Sequence, residues 1–139
     1  MAFTLASNYD PRAQICYVTF DGVLVNDFEV DHLFALFAQH LHRVPQPHYV
    51  IANCDAWRVD TPLMRAYGHA LGAFCTAHGV CLACYSADIY ARMNLRLAGV
   101  ISGASVPLFA TPTEALQFVR QQQPAPLTIH LPIPPSRYI

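Results

Sequence analysis

Cys81 and Cys84 form the first pair in this 139-residue chain whose spacing could do chemistry, a Cys-x-x-Cys step. A redox pair needs its leading thiol at a helix N-terminus, where the dipole lowers the pKa. Here the pair lies inside Val80-Cys-Leu-Ala-Cys-Tyr85, an apolar run that reads as a buried strand. Its two side chains then point to opposite faces. A structural zinc would need two more close ligands, and no second Cys pair exists. The five cysteines are too sparse for a disulfide framework and read as small core hydrophobes.

The histidines are no more promising. His40 and His42 stand two apart on a helix and so do not share a face. No His-Glu-x-x-His, Gly-x-Ser-x-Gly or Gly-rich phosphate loop occurs. Asp55 and Asp60 lie five apart and could be paired carboxylates, although solvation and capping explain them as well. These features predict a chain that is not an enzyme, with no cofactor and no metal.

The segment that stands out is Asn53-Cys-Asp-Ala-Trp-Arg-Val-Asp-Thr-Pro-Leu63. It reads as the loop from a parallel strand to a helix, where open α/β sheets place their sites. Trp57, the only tryptophan, is either an exposed contact residue or a lid on the core. Thr61-Pro62 opens a helix, with the hydroxyl as N-cap and Pro at the first helical position. A phosphate on Thr61 would be welcome at that positive end, yet a capping role alone explains the residue. Asp55, Trp57, Asp60 and Thr61 are thus the candidates for partner binding or regulation.

The elements that must position this loop are legible. Phe3–Asn8 and Ile15–Phe20 are β-prone, with the turn initiator Asp10-Pro11 between them, and predict an antiparallel hairpin. Asp21-Gly22 is expected to break the second strand. Asn26 caps a helix whose stripe is Val30, Leu33, Phe34, Phe37, Leu41 and Val44, with Phe28 and Leu36 off the stripe. His48–Asn53 is a buried parallel strand. The next helix buries Leu63, Tyr67, Ala70, Leu71 and Phe74 and stops at Gly79. Its Gly68 and Gly72 cost helix propensity, which implies a close backbone approach. A strand at 80–85, a helix over 88–101 and a short strand at 106–109 follow. Thr111-Pro-Thr-Glu114 is a capping box that starts a last helix. The order ββαβαβαβα predicts one α/β domain over residues 1–123, with a mostly parallel five-stranded sheet and an N-terminal antiparallel hairpin.

Composition supports a large core, being 54% hydrophobic and only 12% charged. Net charge is −1 and the eight basic residues, all Arg, are scattered, so no basic face for nucleic acid is written here. No apolar run is long enough to span a bilayer and no signal peptide precedes the chain, so the cytoplasm is expected. Residues 124–139 hold five prolines and alternate Leu127, Ile129, Leu131 and Ile133 with Thr128, His130 and Pro132. This tail is expected to be extended, either docked on its own domain or a second subunit, or free.

Three stretches resemble the STAS-like domains, the group that includes the bacterial anti-anti-sigma factors. Asp55 through Thr61 is similar to the family's Asp-loop-Asp-Ser segment ahead of the second helix. Asp88-Ile-Tyr-Ala-Arg-Met-Asn94 is similar to a helix that some relatives carry. Val106-Pro-Leu-Phe-Ala-Thr-Pro-Thr-Glu-Ala-Leu116 resembles the closing strand and its Glu-Ala-Leu helix. In the anti-anti-sigma factors the Ser of that segment is phosphorylated by a partner kinase, which switches binding off. By position this residue is Thr61, although Pro62 and Leu63 replace the family's Ser-Gly continuation. The leading reading is a non-enzymatic regulatory or interaction module that binds another protein, and homodimerisation through apolar helix surface fits it without deciding it. The second reading is a carrier or sensor of a small apolar ligand, which requires a cavity.

Overall fold

The computed structural model describes residues 3–104 and 106–124. A hairpin opens the chain: β1 (Phe3–Asp10) pairs antiparallel with β2 (Ile15–Leu24) from Phe3 opposite Gly22 to Asp10 opposite Ile15. The Asp10 carboxylate accepts from the backbone N–H groups of Arg12 and Ala13 and closes the turn. Next come α1 (Asp27–His42), β3 (His48–Val59), a 3-10 turn (Thr61–Leu63), α2 (Met64–His78) and β4 (Val80–Tyr85). The described part ends with α3 (Ile89–Ser102), β5 (Leu108–Phe109) and α4 (Pro112–Gln122). The sheet order is β1-β2-β3-β4-β5, antiparallel at the first pair and parallel thereafter. This is the mixed α/β architecture that the ββαβαβαβα order predicts.

The helices divide unequally between the two faces of the sheet. Cys16, Val18 and Phe20 of β2 and Val50, Ala52 and Cys54 of β3 face one layer, where Val30, Leu33 and Phe37 of α1 and Tyr67, Leu71 and Phe74 of α2 complete the main core. Ile15, Ile51 and Ala83 point the other way and meet Ala115 and Val119 of α4 in a smaller core. The alternation of side chains along each strand produces both sets.

The ends of the helices follow the sequence closely. The Asn26 side chain accepts from Glu29 N–H, and the Glu29 carboxylate accepts from Val25 N–H. Gly79 ends α2 in the left-handed conformation at φ 63°. Thr111 accepts from Glu114 N–H and donates to its carboxylate. Asp88 is the cap of α3 rather than its first residue, accepting from Tyr90 N–H. The last strand is shorter than expected, Leu108–Phe109 instead of 106–109.

Two strands run further than the sequence suggests. Asp21-Gly22 does not break β2, which continues to Leu24. Gly22 takes a φ of 115°, a shape that side chains rarely adopt. It lies opposite both Phe3 and Trp57, whose rings approach to 6.2 Å between centroids. With a partner strand now available, β3 also continues, through Ala56–Val59 beside Asp21–Leu24, after a shift of register between Thr19 and Asp21. The expected strand-to-helix loop is therefore mostly strand. Thr61 is not the cap of α2 either. It begins the 3-10 turn, and α2 starts at Met64 after Leu63. The expected extended tail, 124–139, lies outside the described residues apart from Pro124.

Candidate functional site

The four candidate residues separate into a buried one and three exposed ones. Trp57 is fully buried. It stacks on Phe20 at 5.3 Å, and its indole N–H donates to the Tyr67 hydroxyl at 3.3 Å. Of the two expectations for Trp57, the lid on the core describes its place, and the exposed contact does not. The parity shift in β3 is the reason: after the irregularity, odd-numbered residues face the main core.

Asp55 is exposed and structural in its contacts. Its carboxylate accepts from Ala87 N–H at 2.7 Å and pins the β4–α3 connection to β3. Asp60 belongs to a different edge. Its N–H donates to the Leu24 carbonyl at 2.9 Å, and its carbonyl accepts from Leu63 N–H at 2.8 Å. The two residues are thus held by different neighbours, Asp55 through its carboxylate toward β4 and Asp60 through its backbone toward β2. Only Asp60 and Thr61 remain together on the surface, at the tip where β2 and β3 end.

That tip carries apolar surface which the sequence reading did not assign to the site. Val23, Val25 and Phe28 are exposed, Phe28 to 78%. The Leu24–Asp60 bond places Val25 one residue from one end of the contact and Thr61 one residue from the other. Phe28 follows in the first turn of α1, between the exposed Asp27 and the buried Glu29. Its departure from the helix's core stripe was the available signal. Leu36, the other residue off that stripe, is partly buried against the core.

The same end of the molecule is braced by charge. Arg58 of β3 pairs with Asp88 at 3.0 Å. Hydrogen bonding from Arg58, aided by Tyr90 N–H, holds the Asp88 carboxyl below the usual range. Arg92 donates to the Ser86 carbonyl at 2.6 Å. The first turn of α2 carries no acidic residue and receives no side-chain cap from Leu63. Thr61 therefore stands one short turn ahead of an uncapped, positive helix end.

Among the described residues, two clefts lie away from this tip. One, of about 500 Å³, runs between α2, α3 and the β4–β5 edge and is lined by Tyr67, Leu71, Cys84, Leu95, Val106 and Leu108. The other, at the opposite end of the sheet, is lined by His42, Arg43, His48 and His78, with no carboxylate, hydroxyl or thiol among its lining residues. Among the described residues no three His, Cys, Asp or Glu side chains are arranged to hold a metal ion. Cys54 and Cys84 are buried and share a hydrogen bond, and that bond together with burial pushes the Cys54 thiol well above its usual value. Cys84 faces the main core and Cys81 the other side, as their spacing in a strand requires. No helix among the described residues is long and apolar enough to cross a membrane.

No protein-family model and no curated protein matches this sequence. Solved structures do. An anti-sigma factor antagonist from Mycobacterium paratuberculosis superposes with a TM-score of 0.60 at 15% identity, over 86% of this chain and 95% of that one. An anti-sigma-factor antagonist (STAS) domain protein from Planctomyces limnophilus gives 0.56 at 15% identity, over 84% and 97%. The element order, the sheet and these two superpositions make the fold STAS-like.

Proposed function

We propose that the protein is a non-enzymatic regulatory module that binds another protein through the tip formed by Val25, Phe28, Asp60 and Thr61. The observation that carries this reading is Phe28, a large aromatic side chain left 78% exposed beside the paired ends of β2 and β3. Exposed aromatic anchors rimmed by polar groups are characteristic of interaction surfaces. Both solved neighbours are described as anti-sigma factor antagonists. Carried to this chain, that description makes an anti-sigma factor the class of partner to look for. Trp57 contributes from below, by fixing β2, β3 and α2 to one another.

Thr61 is the proposed switch. Phosphate there would add up to about two negative charges beside Asp60 and ahead of the uncapped end of α2. The charge would oppose an apolar or acidic partner while being accommodated by the helix end. The test is affinity capture from the native host with quantitative mass spectrometry of what co-purifies. Phe28→Ser and Thr61→Glu should lose a partner that the wild type and Thr61→Ala retain. Identical partners for all four chains would sink the reading.

A second reading, a carrier of a small apolar ligand, is favoured by the cleft between α2 and α3, whose volume of about 500 Å³ is that of a small-molecule site. Native mass spectrometry would show a retained lipid-like mass if this reading holds. The same mass should disappear on replacing Leu71 by Gln.

A further inference from the structure

The helix α3 is apolar on its wrong side. Inside, it buries Ala91 and Ala98 and sets Gly99 close to the Ala104 carbonyl, so its inner face is built from small residues. Outside, Ile89, Tyr90, Met93, Leu97 and Val100 stand 46% to 74% exposed. The residues at 89, 93, 97 and 100 recur at helical spacing and form one stripe. A solvent face would carry charge at these positions.

We infer that this stripe is the contact surface for a second copy of the chain, two α3 helices packing antiparallel about a two-fold axis. Area is the first argument. At roughly 150–250 Å² for each large side chain, five residues exposed to this degree put about 600 Å² in water. A standard interface takes about 800 Å² from each partner, so the stripe supplies most of one.

Charge is the second argument. The stripe itself carries none, and no acidic residue lies between Ile89 and Ser102. Arg92 is turned back onto Ser86, and the exposed Arg96 stands at the edge of the stripe, where it also lines the cleft beside α2. A basic partner would find no carboxylate to pair with, whereas an identical stripe meets no charge at Ile89, Met93, Leu97 and Val100.

Symmetry is the third. Ile89 and Val100 are separated by about 16 Å along the helix, with Met93 and Leu97 between them. Laid antiparallel on itself, the stripe sets Ile89 against Val100 and Met93 against Leu97, each contact made twice as a two-fold interface requires.

This inference deepens the interaction reading by naming one partner, but it uses a surface separate from Phe28 and Thr61. The experiment is analytical ultracentrifugation of the full chain from low micromolar to several hundred micromolar. A reversible monomer–dimer equilibrium is expected. Met93→Glu with Leu97→Glu should weaken it by about 30-fold or more, with helix content by circular dichroism unchanged. Val100→Glu with Tyr90→Glu, at the two most exposed of these five side chains, provides a second test should the first variant misfold. Phe28→Ser should remain dimeric whether or not it loses its protein partner. A chain that stays monomeric at the highest concentration, or a dimer that both double variants leave intact, would overturn the inference.

Discussion

The side chain of Asn94 pairs in both directions with the backbone of Val59. Val59 N–H donates to Asn94 Oδ1 at 2.9 Å, and Asn94 Nδ2 donates to the Val59 carbonyl at 2.9 Å. Pairing between β3 and β4 ends at Asn53 opposite Tyr85, so the last turns of β3 have no strand on that side. Asn94 stands in for the missing strand and fastens α3 to the sheet. A carboxamide suits this position because it offers one donor and one acceptor side by side.

Asn94→Leu should therefore destabilise the fold by about 2–4 kcal/mol, since two polar groups of a buried residue lose their partners. Asn94→Asp keeps the acceptor but sets a carboxylate against the Val59 carbonyl, and it should be no better than Leu. Urea unfolding followed by the Trp57 emission reads both. A loss below about 0.5 kcal/mol for either, the ordinary range for surface changes, would show that the pair is incidental.

The two glycines of α2 face α3 at different clearances. A Cβ on Gly68 would lie 2.1 Å from Ser102 Oγ and 3.0 Å from the Ala98 carbonyl, whereas one on Gly72 would meet only Ala104 Cβ at 3.3 Å. Ser102 Oγ is itself engaged, donating to the Gly99 carbonyl and accepting from Ala104 N–H. Gly68→Ala should cost about 1–3 kcal/mol by overpacking. Gly72→Ala should be near neutral, because a gain in helix propensity of up to about 1 kcal/mol offsets the tight contact. Equal midpoints for the two variants in thermal unfolding would contradict the α2–α3 packing described here.

The close approach at Gly68 was readable in the sequence because glycine in a helix interior has a cost that only packing explains. So were the caps at Asn26, Gly79 and Thr111, whose chemistry is local. The extension of β2 and β3 was not readable. Asp21-Gly22 and Asp55 carry local turn signals, and it takes the pairing of Asp21–Leu24 with Ala56–Val59, distant in sequence, to override them. Trp57 follows from this, since one irregularity reverses which residues face the core. Thr61 was misread as the cap for a related reason: Thr-Pro marks a helical start, but not whether the first turn is 3-10 or α. The outward stripe of α3 was hidden because the alanines and glycine that bury are no more apolar than the Ile, Met and Val that do not.

The cysteines should be slow to react. Burial pushes the Cys16 and Cys81 thiols up and takes Cys75 to about 12, with Cys84 and Cys81 adding to the last. The thiolate is the nucleophile, so little of it is present at pH 8. A chromogenic disulfide reagent should label the native protein slowly and reach all five free cysteines once the chain unfolds. Rapid stoichiometric labelling of one native thiol would instead point to an activated nucleophile and revive an enzymatic reading.

Acid should loosen the end of the sheet opposite the proposed partner site. His48 is buried at the start of β3, and its Nδ1 has no hydrogen-bond partner. Burial, and then the neighbouring His78, lower its pKa below 6.5. The unfolded chain therefore takes up this proton at a higher pH than the folded one. Above pH 6.5 both states hold His48 neutral and it contributes no pH dependence. As pH falls below that value, protonation favours the unfolded state, and the penalty is complete once pH passes the lower folded pKa. His48→Phe removes the titration and leaves no polar atom unpaired. Its unfolding midpoint should match or exceed the wild type at pH 7.5 and should fall less steeply between pH 6.5 and 5. Parallel pH profiles for the two proteins would assign the acid sensitivity to other groups.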